Sequence, residues 1–344
     1  MWWMSEERKS KKLNLLCLKT KEMKKIAIYS HCALDTISIA GNSYEQIGGA
    51  ACYCGLMARE LKFDVDLFTK YGADFPKQYL NDNKINLTNP DSSKNTTKFS
   101  ISITGSDRTL KIANECEPIE YSDVNANAHI VSPIFHEISQ DVFKKIKQNS
   151  NFLFVDPQGF LRQKDSENNI FLQKTDLDLT NVDAIKINPE EGQNIVEGTN
   201  DEMMLALQKK GIEHVILTNK TDVSILVKNR VYSLKLPNKR IHDTTGIGDI
   251  FCSTFTCTMI KEKDFLWAFC FAAGSAQAAL ESNNVGLQKI PKKGDVENNA
   301  SYFYNLIDFR DLWYIILLLF LWGLYTNANW NLWFWYIWSR IKNY

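Results

Sequence analysis

Between residue 23 and about residue 300 the chain alternates short, almost unbroken apolar runs with segments whose apolar residues return every three or four positions. KIAIYS, DVDLFTK, HIVSPI, NFLFVDP, VDAIKIN, HVILTN and SILVKN read as strands. Several of them have the near-continuous apolarity that a strand needs when its sheet is covered on both faces. AACYCGLMAREL and DVFKKIKQNS carry the helical spacing. The alternation predicts a three-layer α/β fold, with helices on both faces of a mainly parallel sheet. At 344 residues and 44% hydrophobic, the chain can bury one large core of this kind or two modest ones.

Two stretches break the rhythm. Residues 96–113, TTKFSISITGSDRTLKIA, alternate with period two and turn at Gly105-Ser106-Asp107, the pattern of a hairpin. With residues 33–49, ALDTISIAGNSYEQIGG, they predict a small sheet outside the main layers. A small sheet hinged on an open α/β domain is placed to act as a lid over a crevice at the strand ends.

Composition narrows the partners. Forty Lys and Arg balance forty Asp and Glu, so no global field draws in nucleic acid, and any phosphate site must be local. Eight cysteines, at 17, 32, 52, 54, 116, 252, 257 and 270, include no Cys-x-x-Cys pair. They read as reduced core thiols of a cytoplasmic protein, Cys52 and Cys54 included, rather than as a zinc site or disulfide framework.

Both ends differ from the middle. Residues 1–22 are Lys-rich, lack a signal-peptide run, and read as a disordered extension or a misassigned start, with Met23 opening the first strand. Residues 301–344 are Trp-rich: six of the nine tryptophans fall between positions 313 and 338. The unbroken apolar run at 312–325 is 14 residues, shorter than the roughly 20 of a spanning helix. A membrane segment over 312–338, a hydrophobic hairpin on an interface or partner, and an aberrant tail all fit. The tryptophans with Arg340 and Lys342 resemble an interfacial belt and favour membrane association.

The chemistry gathers in HDTTGIGDIFCSTF, residues 242–255. Glycines let backbone N–H groups converge on an anion, and the N-terminus of the following helix adds positive charge. The same dipole favours an ionised Asp249, which could take a proton from a hydroxyl beside a bound phosphoryl group. Alone, the motif fits a capped turn equally well.

Four motifs in order go further. The chain resembles the ribokinase-like (pfkB) family of sugar and nucleoside kinases over about residues 24–292. DTTGIGD matches that family's C-terminal signature, with Ile247 in place of the usual alanine. Gly48-Gly49-Ala-Ala, after Asp35 in ALDTIS, matches its glycine pair and substrate aspartate; TKYGADF resembles its Gly-x-Asp segment; Asn188-Pro-Glu-Glu191 matches its Asn-x-x-Glu motif.

The resemblance implies a Rossmann-like α/β/α core with a β-lid, a single kinase domain at 23–300, and ATP-dependent phosphorylation of a small polyhydroxylated acceptor. It implies Asp249 as catalytic base, and Gly246, Ile247 and Gly248 as an anion hole. Asp35, Gly48, Gly49 and Tyr53 fall to the acceptor. Asn188, Glu191, Thr218 and Lys220 fall to the nucleotide, with Glu191 in the Mg2+ shell. A monovalent cation and a homodimer paired through the lid are implied as well.

The chain also departs from the pattern. Tyr53 stands where most sugar kinases carry asparagine, and Lys220 and Val223 replace glycines that follow Thr218. FVDPQGFLR, residues 154–162, resembles the myo-inositol kinase branch and makes Gln158 and Arg162 candidates for acceptor or lid contacts. The expectation is a sugar or cyclitol kinase with a myo-inositol-like acceptor. A nucleoside kinase and a catalytically silent binding protein are the alternatives.

Overall fold

A computed structural model describes residues 23–39, 42–104, 107–237 and 243–312. The N-terminal extension at 1–22, Cys17, the hairpin tip at Gly105-Ser106, His242 and the Trp-rich stretch from 313 lie outside the described residues.

The main sheet takes ten strands: β1 (Lys25–Tyr29), β4 (Asp64–Phe68), β5 (Asn86–Thr88), β8 (Ala128–Val131), β9 (Leu153–Val155), β12 (Ala184–Ile187), β13 (His214–Asn219), β14 (Asp222–Val227), β15 (Arg230–Lys235) and β16 (Asp308–Asp311). Their order is β16-β15-β14-β13-β12-β9-β8-β1-β4-β5, parallel from β13 to β5 and antiparallel from β13 to β16. All seven runs read as strands belong to this sheet. Their unbroken apolarity follows from two covering layers: Ile26 and Ile28 of β1 join one core, Ala27 and Tyr29 the other.

The first core receives α1 (Ala50–Glu60), α2 (Gln78–Asp82), α7 (Ile247–Glu262), α8 (Phe265–Glu281) and α9 (Lys293–Leu306). The second receives α3 (Gln140–Gln148), α4 (Gln158–Leu161) and α6 (Asn200–Lys209), with the short α5 (Pro189–Gln193) leading into α6. The seven described cysteines are free and buried, as core thiols should be.

The two stretches that broke the rhythm form a separate four-stranded sheet. It contains β2 (Ala33–Ile39), β3 (Asn42–Gly48), β6 (Thr97–Thr104) and β7 (Asp107–Asn114), in the order β3-β2-β6-β7. β2 and β6 run parallel, and the outer strands are antiparallel to them. Ile37, Phe99, Ile101 and Ile112 pack on Ile134 and Phe135, which tie this lid to the loop after β8. A short hairpin of β10 (Arg162–Lys164) and β11 (Ile170–Leu172) lies alongside, bridged to β7 through Lys111 and Asn169.

The fold continues past the boundary expected at residue 300. α9 runs through it, β16 pairs with β15, and Arg230 makes two hydrogen bonds to Asp311, the shorter of 2.6 Å. Leu312, counted in sequence with the Trp-rich tail, is fully buried in the second core. DFRD is a polar edge strand without apolar alternation, so periodicity in the sequence does not mark β16. Among the described residues no helix is long and apolar enough to cross a membrane.

Ending the chain at residue 300 removes β16, Leu312 and the fully buried Phe303. Residues 23–312 should unfold cooperatively in urea, whereas residues 23–300 should lose roughly 4 kcal/mol or more, the cost of losing two large buried side chains. Equal midpoints would show that the last strand adds nothing.

Candidate active site

β8, β9 and β12 lie side by side and parallel, so the residues that follow them, Ser132, Asp156 and Asn188, gather at one edge of the sheet. In an open α/β sheet this carboxyl edge forms the crevice. Two glycine-led helices face it. Gly49 precedes α1 with φ +84°, and a Cβ there would stand 2.4 Å from the His31 carbonyl oxygen. Gly246 precedes α7 with φ +74°, and a Cβ there would stand 2.4 Å from the ring of Tyr53 in the first turn of α1. Only glycine meets both demands. The two helices are held together by Ser253 Oγ, which donates to the Cys54 carbonyl at 2.8 Å, and by Cys54 Sγ, which donates to the Asp249 carbonyl at 3.3 Å.

Two cavities meet at this turn. The first, about 300 Å³, is bounded by Asp35, Gly49 and Tyr53 on the lid and α1 side. Gly246, Gly248 and Asp249 line it from α7, and Asn188 and Glu191 from the end of β12. Gly48 stands behind Asp35, with Asp35 Oδ2 2.4 Å from where its Cβ would be. Phe99, Ile101 and Leu110 contribute the lid's apolar face, and Gln158 of α4 and Arg162, the first residue of β10, reach the same cavity. The second cavity, about 590 Å³ and mainly apolar, is lined by Val223, Leu236, Ile247, Phe251 and Leu280, with Thr218 and Lys220 at the β13–β14 turn. Thr244 and Gly248 border both. Every sequence-predicted site residue thus lies in one cavity or the other, except Gly48, which backs the first.

Asp249 is buried and accepts a hydrogen bond from Ser132 Oγ at 3.3 Å, across the sheet rather than along its own helix. Burial pushes its carboxyl up to about 7, with Asp156 adding to the rise and Lys186, Ser132 and Arg162 opposing it. The ionisation expected from the helix dipole is therefore overruled. A helix end supplies at most about 2 kcal/mol, against roughly 4 kcal/mol for a carboxyl moved from its usual value to about 7.

Glu191 closes a capping box with Asn188: Asn188 Oδ1 accepts from the Glu191 N–H at 2.8 Å, and Glu191 Oε2 accepts from the Asn188 N–H at 2.9 Å. It sits in the first turn of α5 and is buried. Burial raises its carboxyl, and Lys186 opposes the rise. Among the described residues no three His, Cys, Asp or Glu side chains converge to hold a metal unaided.

With this geometry in place, the comparisons decide the family. The model of the pfkB family carbohydrate kinases matches residues 23–293. The chain belongs to the pfkB family. No curated protein matches its sequence. Among solved structures, it is similar to a pyrophosphate-dependent kinase in the ribokinase family complexed with a pyrophosphate analog and myo-inositol, at 18% identity and a TM-score of 0.69, covering 79% of this chain and 99% of that one. It is also similar to ribokinase from Arabidopsis thaliana complexed with ribose and ATP, at 15% identity and 0.66, and to a nucleoside kinase from Methanocaldococcus jannaschii, at 18% and 0.63. Each covers 81% of this chain and 99% of that one. The ribokinase-like fold is shared by all three.

Sequence reasoning missed the charges that hold this pfkB site together. Lys186 Nζ lies 2.6 Å from Asp156 Oδ2, both groups are buried, and the ammonium stands 2.9 Å from where a Cβ on Gly248 would be. Burial works against its charge, but Asp156 and Glu191 hold it firmly protonated. The signal was present: a lysine inside the buried strand AIKI cannot reach water and needs a partner. Arg162 donates to the Ile134 carbonyl at 2.9 Å and to Gln158 Oε1 at 2.8 Å, and sits 5.6 Å from the Phe99 ring centroid, so α4 is linked to the lid.

The raised Asp249 pKa has a consequence for stability. Between about pH 4 and 7 the folded protein keeps a proton on Asp249 that the unfolded chain releases, so this carboxyl's contribution falls as pH rises through that window. Asp249→Asn should melt above wild type at pH 8, with the gain shrinking toward pH 5. A variant no more stable than wild type at pH 8 would contradict the raised pKa.

Proposed function

We propose that this protein is an ATP- and Mg2+-dependent kinase that moves the γ-phosphoryl group onto a hydroxyl of a small sugar or cyclitol, with a myo-inositol-like ring favoured. The observation that carries the reading is the position of Asp249, a buried carboxylate in the first turn of a glycine-opened helix, lining the polar cavity next to Gly248, which borders both the polar and the apolar one.

The acceptor belongs in the polar cavity. The Tyr53 hydroxyl is buried there without a hydrogen-bond partner in the protein, which leaves it for a ligand oxygen. Asp35 supplies a carboxylate able to accept two hydroxyl donors, so analogues lacking a hydroxyl would leave buried acceptors unpaired. The apolar cavity suits a purine base, with Thr218 and Lys220 at its edge. A pyrophosphate donor would leave that surface uncovered, which favours ATP.

In the reaction, Asp249 takes the acceptor's hydroxyl proton as its oxygen attacks the γ-phosphorus. The bond from that phosphorus to the β,γ-bridging oxygen breaks, and ADP leaves. Backbone N–H groups of Gly246, Ile247 and Gly248, with the Lys186 ammonium beside them, offset charge on the transferring group. Asn188 and Glu191 supply hard oxygen donors of the kind that fits Mg2+ when phosphates and waters complete its shell. Bound there, the ion would neutralise phosphate charge.

A nucleoside acceptor is the second reading, because Phe99, Ile101 and Leu110 offer an apolar surface on which a base would pack. ATP consumption by the purified chain, with Mg2+, against myo-inositol, ribose, hexoses and nucleosides separates the two. Acceptor-dependent turnover should fall by roughly 10²- to 10⁴-fold in Asp249→Asn while acceptor binding stays within a few-fold. Acceptor binding without turnover by wild type would instead mark a silent binding protein. Because Asp249 must be unprotonated to act, wild-type kcat/KM should decline as pH falls below about 7. A flat profile from pH 5 to 8 would remove Asp249 as the base.

A further inference from the structure

A second buried ion pair sits at the base of the glycine turn, unused by the steps above. Lys289, at 1% exposure, is the most deeply buried Lys or Arg among the described residues. Its Nζ lies 2.9 Å from Asp243 Oδ2 and donates to the Asp243 carbonyl at 3.1 Å. Asp243 Oδ1 accepts the Thr245 N–H at 2.8 Å, and Oδ2 also accepts the Gly286 N–H at 2.9 Å. The same ammonium is 5.7 Å from the centroid of the Tyr53 ring, which also packs on Gly246. One cation therefore ties together the segment entering α7, the 3₁₀ turn Gly286–Lys289 and the aromatic ring packed on the glycine.

A carboxylate oxygen joined by a backbone carbonyl oxygen is also the donor set that a dehydrated monovalent ion takes. Burial pulls the Lys289 ammonium below the ordinary lysine value while Asp243 opposes the fall, and Lys289 with two backbone N–H groups holds the Asp243 carboxyl below its ordinary value against burial. A second cation on these oxygens would meet the ammonium already there, so the residues present do not fit the monovalent ion that the family resemblance implied.

We propose that the Lys289 ammonium is a built-in monovalent cation that fixes the turn of Gly246, Ile247 and Gly248 and frees phosphoryl transfer from any requirement for added potassium or ammonium. The proposal rests on the kinase reading of that turn. Lys289 is a positioning residue: it acts through Asp243 and Tyr53 and does not line the polar cavity.

The test compares the full-length wild type with Lys289→Ala in choline, sodium, potassium and ammonium chlorides at equal ionic strength, reading both turnover and melting temperature. Wild-type kcat and Tm should vary little among the four salts. Lys289→Ala should lose roughly 10- to 100-fold in kcat, as expected for a misplaced reacting group, and melt lower. It should regain part of both losses in potassium or ammonium but not in choline. If Lys289→Ala does not fold, Lys289→Met keeps the stem without the charge and is read in the same way.

Potassium activation of wild type by roughly tenfold or more would overturn the proposal, as would a variant with wild-type kcat and Tm in every salt. A loss that no small cation restores would reduce Lys289 to an ordinary structural partner and overturn it too. Should wild type turn over no acceptor, the kinase reading fails on its own. The melting series still decides: a potassium-specific rise confined to the variant supports the built-in cation, and the same rise in wild type overturns it.

Discussion

The contact between the Tyr53 ring and the backbone of Gly246 governs the geometry of this molecule. A buried aromatic in the first turn of α1 can lie against the start of α7 only because Gly246 has no Cβ and holds a left-handed φ of +74°. That contact sets two helix N-termini side by side at the carboxyl edge of the sheet. From it follow the polar cavity between lid and sheet, which Asp249 lines, and the apolar cavity on the far side of the turn, with Thr244 and Gly248 bordering both.

The charges around the turn break the rule that interiors avoid ions, and they do so in a balanced way. Asp156, Glu191 and Asp249 are three buried carboxyl groups, faced by Lys186 and Arg162. Burial raises Asp249 and Glu191 above their usual carboxylate values, and Lys186 and Arg162 only partly oppose the rise. A carboxyl raised in this way would suit proton transfer near neutral pH, at a cost in stability that the surrounding core must offset. Functional sites are where such local inconsistencies are expected.

Most of the fold was legible because the two-layer burial of a parallel sheet writes itself as unbroken apolar runs, and because the lid's period-two pattern interrupts them. The glycine motifs were legible because a positive φ and close backbone approach demand glycine, a local requirement. What sequence could not convey were pairings made by register. Lys186 meets Asp156 because β9 and β12 are neighbours, and Lys289 meets Asp243 through a turn 46 positions away. The Asp249 pKa belongs to the same class. The helix dipole is local and readable, whereas burial and Asp156 are set by packing. The C-terminal boundary was misplaced for a different reason, since a short polar edge strand has no periodicity to detect.

In the proposed reaction Asp249 stands between an acceptor in the polar cavity and a nucleotide in the apolar one. The most direct measurement is a crystal structure with a non-hydrolysable ATP analogue, Mg2+ and the best acceptor. The expected result is a base packed against Phe251 and Leu280, a γ-phosphate at the Gly246, Ile247 and Gly248 backbone, and an acceptor oxygen about 2.6–3.2 Å from the Asp249 carboxylate. A base bound elsewhere, or an acceptor whose hydroxyls all stand away from Asp249, would contradict the account.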